Sequence, residues 1–306
     1  MQTTIRSAVS FAGIGLHSGV PATVTIQPAS AEYGVWFRRT DIHDRDALIP
    51  ARWDVVQKGR LCTKIENPAG VKVSTIEHIM AALAGCGIHN ALIEIDGPEV
   101  PILDGSAAEF VLGILNRGVQ ELNAPVRAIR VLKEIEVYDG EAVARLSPSD
   151  VFEINFHIQF EDAAIGQQEK SLNMANGAFV KELCNSRTFC RQSDIETMRE
   201  NGMALGGTLA NAIVVDGGTV VTPGGMRYED EAVRHKMLDA LGDLALAGAP
   251  LLASYSGYRA GHALTNSLLR ALFARPDAFQ MVECDEDTAL RLPGVGVRRS
   301  DIPAAA

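Results

Sequence analysis

EDEAVRHKMLDALGDLALA, residues 229–247, is the stretch on which the fold turns. Placed at 100° per residue, Val233, Met237, Ala240, Leu241 and Leu244 fall within about 100° of one another, the apolar stripe of an amphipathic helix. His235, Asp239 and Asp243 recur at i, i+4 and i+8 on the other side. That spacing points an imidazole and a carboxylate the same way from successive turns, as a chelated cation requires. It describes a solvated polar face equally well, and for an H-x-x-x-D pattern taken alone that is the commoner outcome.

The segments around this helix read as strands and shorter helices. Downstream, a second helix follows Gly261-His262 through Leu268, Leu269 and Leu272. Upstream, Ala212 to Val215 reads as a strand that turns at Asp216-Gly217-Gly218 into Thr219 to Val221. Before it come Phe152 to Phe160 and a hairpin of Ile129 to Val137 with Ala142 to Leu146 around Asp139-Gly140. The first half follows the same plan. Val24 and Ile26 alternate with Thr23, Thr25 and Gln27, and Val35 to Arg38 follows as a strand. Ser74-Thr75-Ile76-Glu77 has the form of a capping box and opens a helix with Met80, Leu83 and Ala84 inward, ended by Gly85 and Gly87. Ala91 to Ile95 is a strand. Ser106 and Glu109 form another capping-box pattern before Phe110, Val111, Ile114 and Leu115, and Gly118 stops that helix. Strands then paired helices, twice over, predict an α+β fold: two similar domains, residues 1–124 and 125–306, joined near Leu122 to Val126. The expected arrangement is a sandwich with the helices at the interface, and His78-Ile79-Met80 echoes His235-Lys236-Met237 across the two halves.

Bulk properties narrow the function. The 306 residues, 47% apolar and 22% charged, have ordinary globular composition. A formal net charge of -10 repels phosphate backbones, so a nucleic-acid partner is not expected, though a local basic pocket for one anionic small molecule is compatible. The five cysteines are odd in number and none pair at C-x-x-C spacing, which fits a reducing cytosol rather than a disulfide framework. Arg6 precedes the apolar Ala8 to Leu16, but His17, Ser18 and Gly19 interrupt that run, so no signal peptide is read there. No apolar stretch approaches the roughly 18 residues of a membrane span. The expectation is a cytoplasmic monomer without stable membrane insertion.

Several chemistries lose ground on motif. Gly13-Ile14-Gly15-Leu16-His17-Ser18-Gly19 misses the dinucleotide fingerprint, because its third glycine falls one place late and it leads into a strand. There is no Walker loop, no G-x-S-x-G and no H-E-x-x-H. Glu77-His78 is the positive signal. It sets a metal ligand beside a carboxylate able to take a proton from water, as a metallohydrolase needs. Taken alone, the pair also fits a helix cap next to a core histidine.

Five blocks decide between these readings. They are Ser74-Thr75-Ile76-Glu77-His78, Asp104-Gly105-Ser106-Ala107-Ala108, Ser186-Arg187-Thr188-Phe189, Glu229 through Asp239, and Gly261-His262-Ala263-Leu264. In that order they resemble the UDP-3-O-acyl-N-acetylglucosamine deacetylases, zinc enzymes of the committed step of lipid A synthesis in Gram-negative bacteria. Gly15-Leu16-His17-Ser18-Gly19 resembles that family's N-terminal motif, so the likeness runs from about residue 13 to residue 266.

The resemblance implies a set of roles. His78, His235 and Asp239 would bind one zinc ion and leave a fourth position open. Glu77 would be the general base, and the Thr188 hydroxyl would help hold the oxyanion. His262, kept protonated by Asp243, would stabilise charge and deliver a proton to the leaving amine. Lys236 would reach the diphosphate of the UDP-sugar, His17 would help hold the nucleotide, and Phe189 would pack on the sugar. A β-α-β insertion at about 191–221 would build the acyl passage, lined by Ile195, Met198, Met203 and Leu205. Asp104 and Ser106 are read as structural. The chain departs from the family at Cys190, where glycine is common, at Arg191-Gln192-Ser193, and at Thr265, where asparagine is frequent. Two other readings stay open here: a zinc amidase for another acylated amine, and a binding protein that kept the lipid-sugar pocket.

Overall fold

Each half of the chain is built on one main sheet, with three smaller sheets beside them among the described residues, in a computed structural model that describes residues 1–59 and 61–303. The first sheet runs in the order Val9–Ile14, Pro21–Pro28, Ala91–Ile95, Val35–Arg39, Leu48–Pro50. Period-two alternation sets its faces: Ala22, Val24 and Ile26 point into the core while Thr23 and Thr25 point away. Ala91–Ile95 lies at its centre, antiparallel to Pro21–Pro28 and parallel to Val35–Arg39. The second sheet has seven strands, with Leu251–Tyr258 in the middle. That strand pairs parallel with Phe152–Gln159 and antiparallel with Ala142–Pro148. Gln167–Asn173, Ile135–Asp139, Arg127–Val131 and Phe279–Glu283 complete the sheet.

Helices pack between the two main sheets: α1 (Glu77–Gly85), α2 (Ala108–Arg117), α4 (Glu231–Ala245) and α5 (His262–Phe273), while α3 (Gln192–Glu200) lies outside them with no buried residue. α2 packs on Val9–Ile14 and on α1, α4 packs on the strands Phe152–Gln159 and Gln167–Asn173, and α5 packs on Ile135–Asp139. α1 and α4 lie against each other, which joins the halves in the sandwich that the alternation of strands and helices predicts. Met237, Leu241 and Leu244 are no more than 2% exposed. Burying each contributes about 1.5–3 kcal/mol. Gly242 is what lets the two helices approach so closely, because a Cβ there would collide with the backbone carbonyl of Glu77.

Several local expectations change. Neither capping box forms: the residues ahead of α1 and α2 are Ile76 and Ala107, with no side-chain cap. Glu77 instead accepts a hydrogen bond from the Thr63 amide at 3.0 Å. Ser106 Oγ accepts from Ala108 N, and Asp104 holds Ser106 and pairs with Arg227 at 3.0 Å, so both remain structural. The stretch Ile129 to Val137 splits into two strands, and only its second part makes the hairpin at Asp139-Gly140. α4 begins at Glu231, two residues later than the sequence pattern indicates. The insertion is a β-α-β unit as expected: Phe189–Arg191 pairs parallel with Ile213–Asp216 across α3. Among the described residues, no helix is long and apolar enough to cross a membrane. All five cysteines are free.

Candidate metal and active site

The polar side of α4 is not solvated. His235, Asp239 and Asp243 are each at most 5% exposed, because α1 and α5 cover them. Burying charge without partners is costly. The partners arrive from three other elements.

Glu77 and His78 are the first two residues of α1, directed at α4 by the helix contact at Gly242. His78 Nε2 lies 3.6 Å and His235 Nε2 3.3 Å from Asp239 Oδ1. These three residues form a buried cluster whose ligand atoms are mutually within 4.8 Å. Four ligands at 2.0–2.1 Å around zinc stand about 3.3 Å apart along the edges of a tetrahedron, close to the separations found here. Among the described residues, Asp239 Oδ1 is buried without a hydrogen-bond partner. A buried carboxylate oxygen without a donor, facing two imidazoles, is what a cation would satisfy. His235 Nδ1 is 3.0 Å from the Ser186 carbonyl, which fixes the ring with Nε2 toward the cluster. Ser186 is in turn held by its neighbour: Arg187 bonds through its amide and guanidinium to Glu231, which is fully buried at the start of α4.

The electrostatics suit the chemistry. Burial drives the His235 pKa down to about 4, which outweighs the attraction of Asp239 and leaves a neutral imidazole. Burial works against the charge on Asp239, but its cationic neighbours Lys236, at 2.7 Å, and His262 hold its carboxyl well below the usual range. Burial also raises Glu77, partly offset by His262 and His78. His262 opens α5, where burial and the helix N-terminus both oppose a positive charge. Three carboxylates prevail: Asp243, at 2.8 Å from Nδ1, with Glu77 and Asp239 pushes its pKa up to about 9. His262 is therefore a cation at neutral pH, with Nε2 3.8 Å from Glu77 Oε1 and 3.8 Å from Asp239 Oδ2. Asp243 also accepts a hydrogen bond from the Thr63 hydroxyl.

His235, Asp239 and His262 face a cavity of about 760 Å³, whose lining does not include Glu77, His78 or Asp243. His17, Thr188, Phe189, His235, Lys236, Asp239 and His262 line it, as do Ile195 and Met198 on α3. Met203 and Leu205 are not among the lining residues, and Leu205 is 54% exposed. Ala204, Leu209, Val214 and Val221 supply apolar wall from the insertion instead. Cys190 and Arg191 border the same space. Lys236 reaches it with its ammonium already engaged by Asp239. The Phe189 ring stands edge-on to Phe160, centroids 5.4 Å apart.

Motif reading missed Thr63, Gly242, Glu231 and Phe160. Glu231 was within reach, since it lies in the quoted helix two turns before Asp239. Thr63 gave no signal, because an isolated threonine in a polar stretch has neither period nor motif.

Comparison with known proteins follows the same lines. A model of the family described as UDP-3-O-acyl N-acetylglycosamine deacetylase matches residues 2–274. The chain is 46% identical to a UDP-3-O-acyl-N-acetylglucosamine deacetylase of Phenylobacterium zucineum over 288 residues, covering 94% of this chain and 98% of that protein. It is 44% identical to the protein of the same name from Shewanella frigidimarina, covering 94% of each.

Proposed function

The chain belongs to the UDP-3-O-acyl N-acetylglycosamine deacetylase family, and from that premise we propose that it hydrolyses the N-acetyl group of UDP-3-O-(3-hydroxyacyl)-N-acetylglucosamine. The products are acetate and the free amine, and the reaction is the committed step of lipid A synthesis. The single observation that carries the mechanism is Asp239 Oδ1, unpartnered among the described residues and facing the nitrogens of His78 and His235.

His78, His235 and Asp239 would hold zinc, with its fourth position open. Zinc bound there supplies Lewis acidity, which acidifies water and polarises a carbonyl oxygen. Glu77 takes the proton from the attacking water as the new C–O bond forms. Its raised pKa makes it a better base than a surface carboxylate. The Thr188 hydroxyl and the protonated edge of His262 donate to the carbonyl oxygen as it gains charge. The C–N bond then breaks, and His262 gives its proton to the departing amine. The proton on Glu77 returns to His262 across the 3.8 Å that separates them, restoring both groups.

Lys236 would meet the diphosphate, loosening its bond to Asp239, with His17 nearby and Phe189 against the sugar. Ile195 and Met198 support the placement of the acyl chain along the insertion. In the same proposal, residues 1–124 and 125–306 are two domains with the site at their junction. The protein acts as a monomer in the cytoplasm.

The test is acetate release from a UDP-3-O-acyl-N-acetylglucosamine series with bound metal quantified. Chelation is expected to abolish turnover and zinc to restore it; full activity in the metal-free protein would overturn the mechanism. The pH profile gives a second test. Activity falls as pH drops through the raised pKa of Glu77, because the protonated acid is no longer a base. It also falls as pH rises through about 9, because His262 loses its proton. In His262→Ala the alkaline limb disappears while the acid limb stays. An unchanged alkaline limb would remove His262 from the reaction.

A further inference from the structure

Glu99 is a carboxylate, 2% exposed, that the mechanism above does not use. It lies outside the metal cluster, and its oxygens are shared between two segments of different purpose. Oε1 accepts from the His17 amide at 2.9 Å and from the Thr75 hydroxyl at 2.7 Å. Oε2 accepts from the Ser18 amide at 2.7 Å. Burial opposes its charge, but these donors keep it ionised below the ordinary range. Bonds from amides and hydroxyls to a buried anion are among the strong ones.

Each end of this clamp leads to the site. On one side, the loop around His17 carries the far end of the insertion: Leu205 N bonds to the His17 carbonyl at 3.1 Å and Gly206 N to the Leu16 carbonyl at 3.0 Å. Leu16, His17, Ala204 and Gly207 line the cavity together. The layers touch without slack, since a Cβ on Gly206 would strike the Gly15 backbone and one on Gly15 would strike the Glu99 carboxylate. On the other side, Thr75 has φ 57°, a region that β-branched residues rarely occupy, two residues before Glu77. A side-chain bond that holds the residue there sets how the chain enters α1.

We propose that Glu99 is a positioning residue that ties the wall of the acyl passage to the start of α1, so that a seated acyl chain and the base are held in one register. The proposal rests on Glu77 being the base. Glutamine at 99 has the same shape but offers one acceptor oxygen where three donors converge, and its amide group faces a backbone N–H. An occupied passage then no longer constrains α1.

The experiment compares a long-chain and a short-chain UDP-3-O-acyl-N-acetylglucosamine with zinc-loaded protein. Glu99→Gln is expected to keep its zinc, to lose about 10²-fold in kcat on the long chain, and to lose most of its preference for long over short. Hydrogen exchange should rise at the amides of His17, Ser18, Leu205 and Gly206 and stay unchanged in α2. Thr75→Val cuts only the arm to α1, so kcat on the long chain falls and the long-over-short preference is lost as in Glu99→Gln, while exchange at His17, Ser18, Leu205 and Gly206 stays that of the parent, and Thr75→Ser restores both rate and preference. Glu99→Gln with kcat and chain preference within about twofold of the parent would overturn the proposal. So would a parallel loss on both chains with raised exchange throughout, which is plain loss of stability. If Glu99→Gln does not fold, the threonine pair decides, and an unchanged kcat in Thr75→Val overturns it. Glu77→Gln is measured alongside; full activity there would sink the base assignment while leaving the exchange result at Glu99 intact.

Discussion

Glu77→Gln is expected to bind zinc normally and to lose about 10²- to 10⁴-fold in kcat, the range for removing a general acid–base group. The substitution is close to isosteric in a site that is 3% exposed, and the amide oxygen can still accept from the Thr63 amide. The metal cluster of His78, His235 and Asp239 is untouched. What disappears is the proton acceptor beside His262. Because chemistry and not substrate affinity is removed, the loss should fall on kcat with little change in KM. Acetate release and metal content on one preparation check both halves, and near-normal turnover would remove Glu77 as the base.

Gly242→Ala is expected to damage the same site without touching any proposed ligand. Alanine in mid-helix ordinarily gains about 1 kcal/mol over glycine. Here the added methyl would strike the Glu77 backbone carbonyl, and backbone cannot rotate aside as a long side chain would. Overpacking of that kind costs about 1–3 kcal/mol, so the sign is a net loss of stability. The least costly relief is separation of α1 from α4, which draws His78 away from His235 and Asp239. The variant should therefore melt earlier, bind zinc more weakly and lose on the order of 10²-fold in kcat, as expected for a displacement near an ångström. A parental melting temperature and zinc affinity would show that the helices do not depend on this contact.

Much of the fold could be read from pattern, and the exceptions have physical causes. Pro21–Pro28 alternates strongly and reads as a strand at once. Leu251–Tyr258, the central strand of the second sheet, does not, although Leu251, Ala253, Tyr255 and Gly257 all point inward. Its inward positions include an alanine and a glycine, too small to register as an apolar period. Gly257 has to be small, because a Cβ there would press on the Phe156 ring at 2.8 Å. Tertiary packing dictated those residues, so no local pattern announces the strand. The capping boxes failed for the converse reason. Serine and glutamate at the right spacing satisfy a local rule, but Glu77 has a stronger use facing Thr63 and the site.

The sequence by itself determined the helix that carries His235, Asp239 and Asp243 and the spacing that lets an imidazole and a carboxylate share a face. It also determined the blocks that resemble the deacetylase family. Those features depend only on helical period and residue type, both local. The tertiary structure alone decided that this face is buried and that His78 meets it from α1 across the gap left at Gly242. It alone decided that His262 is charged while His235 is neutral. Charge state and ligand geometry follow from which groups burial brings within a few ångströms, and spacing along the chain does not encode that distance.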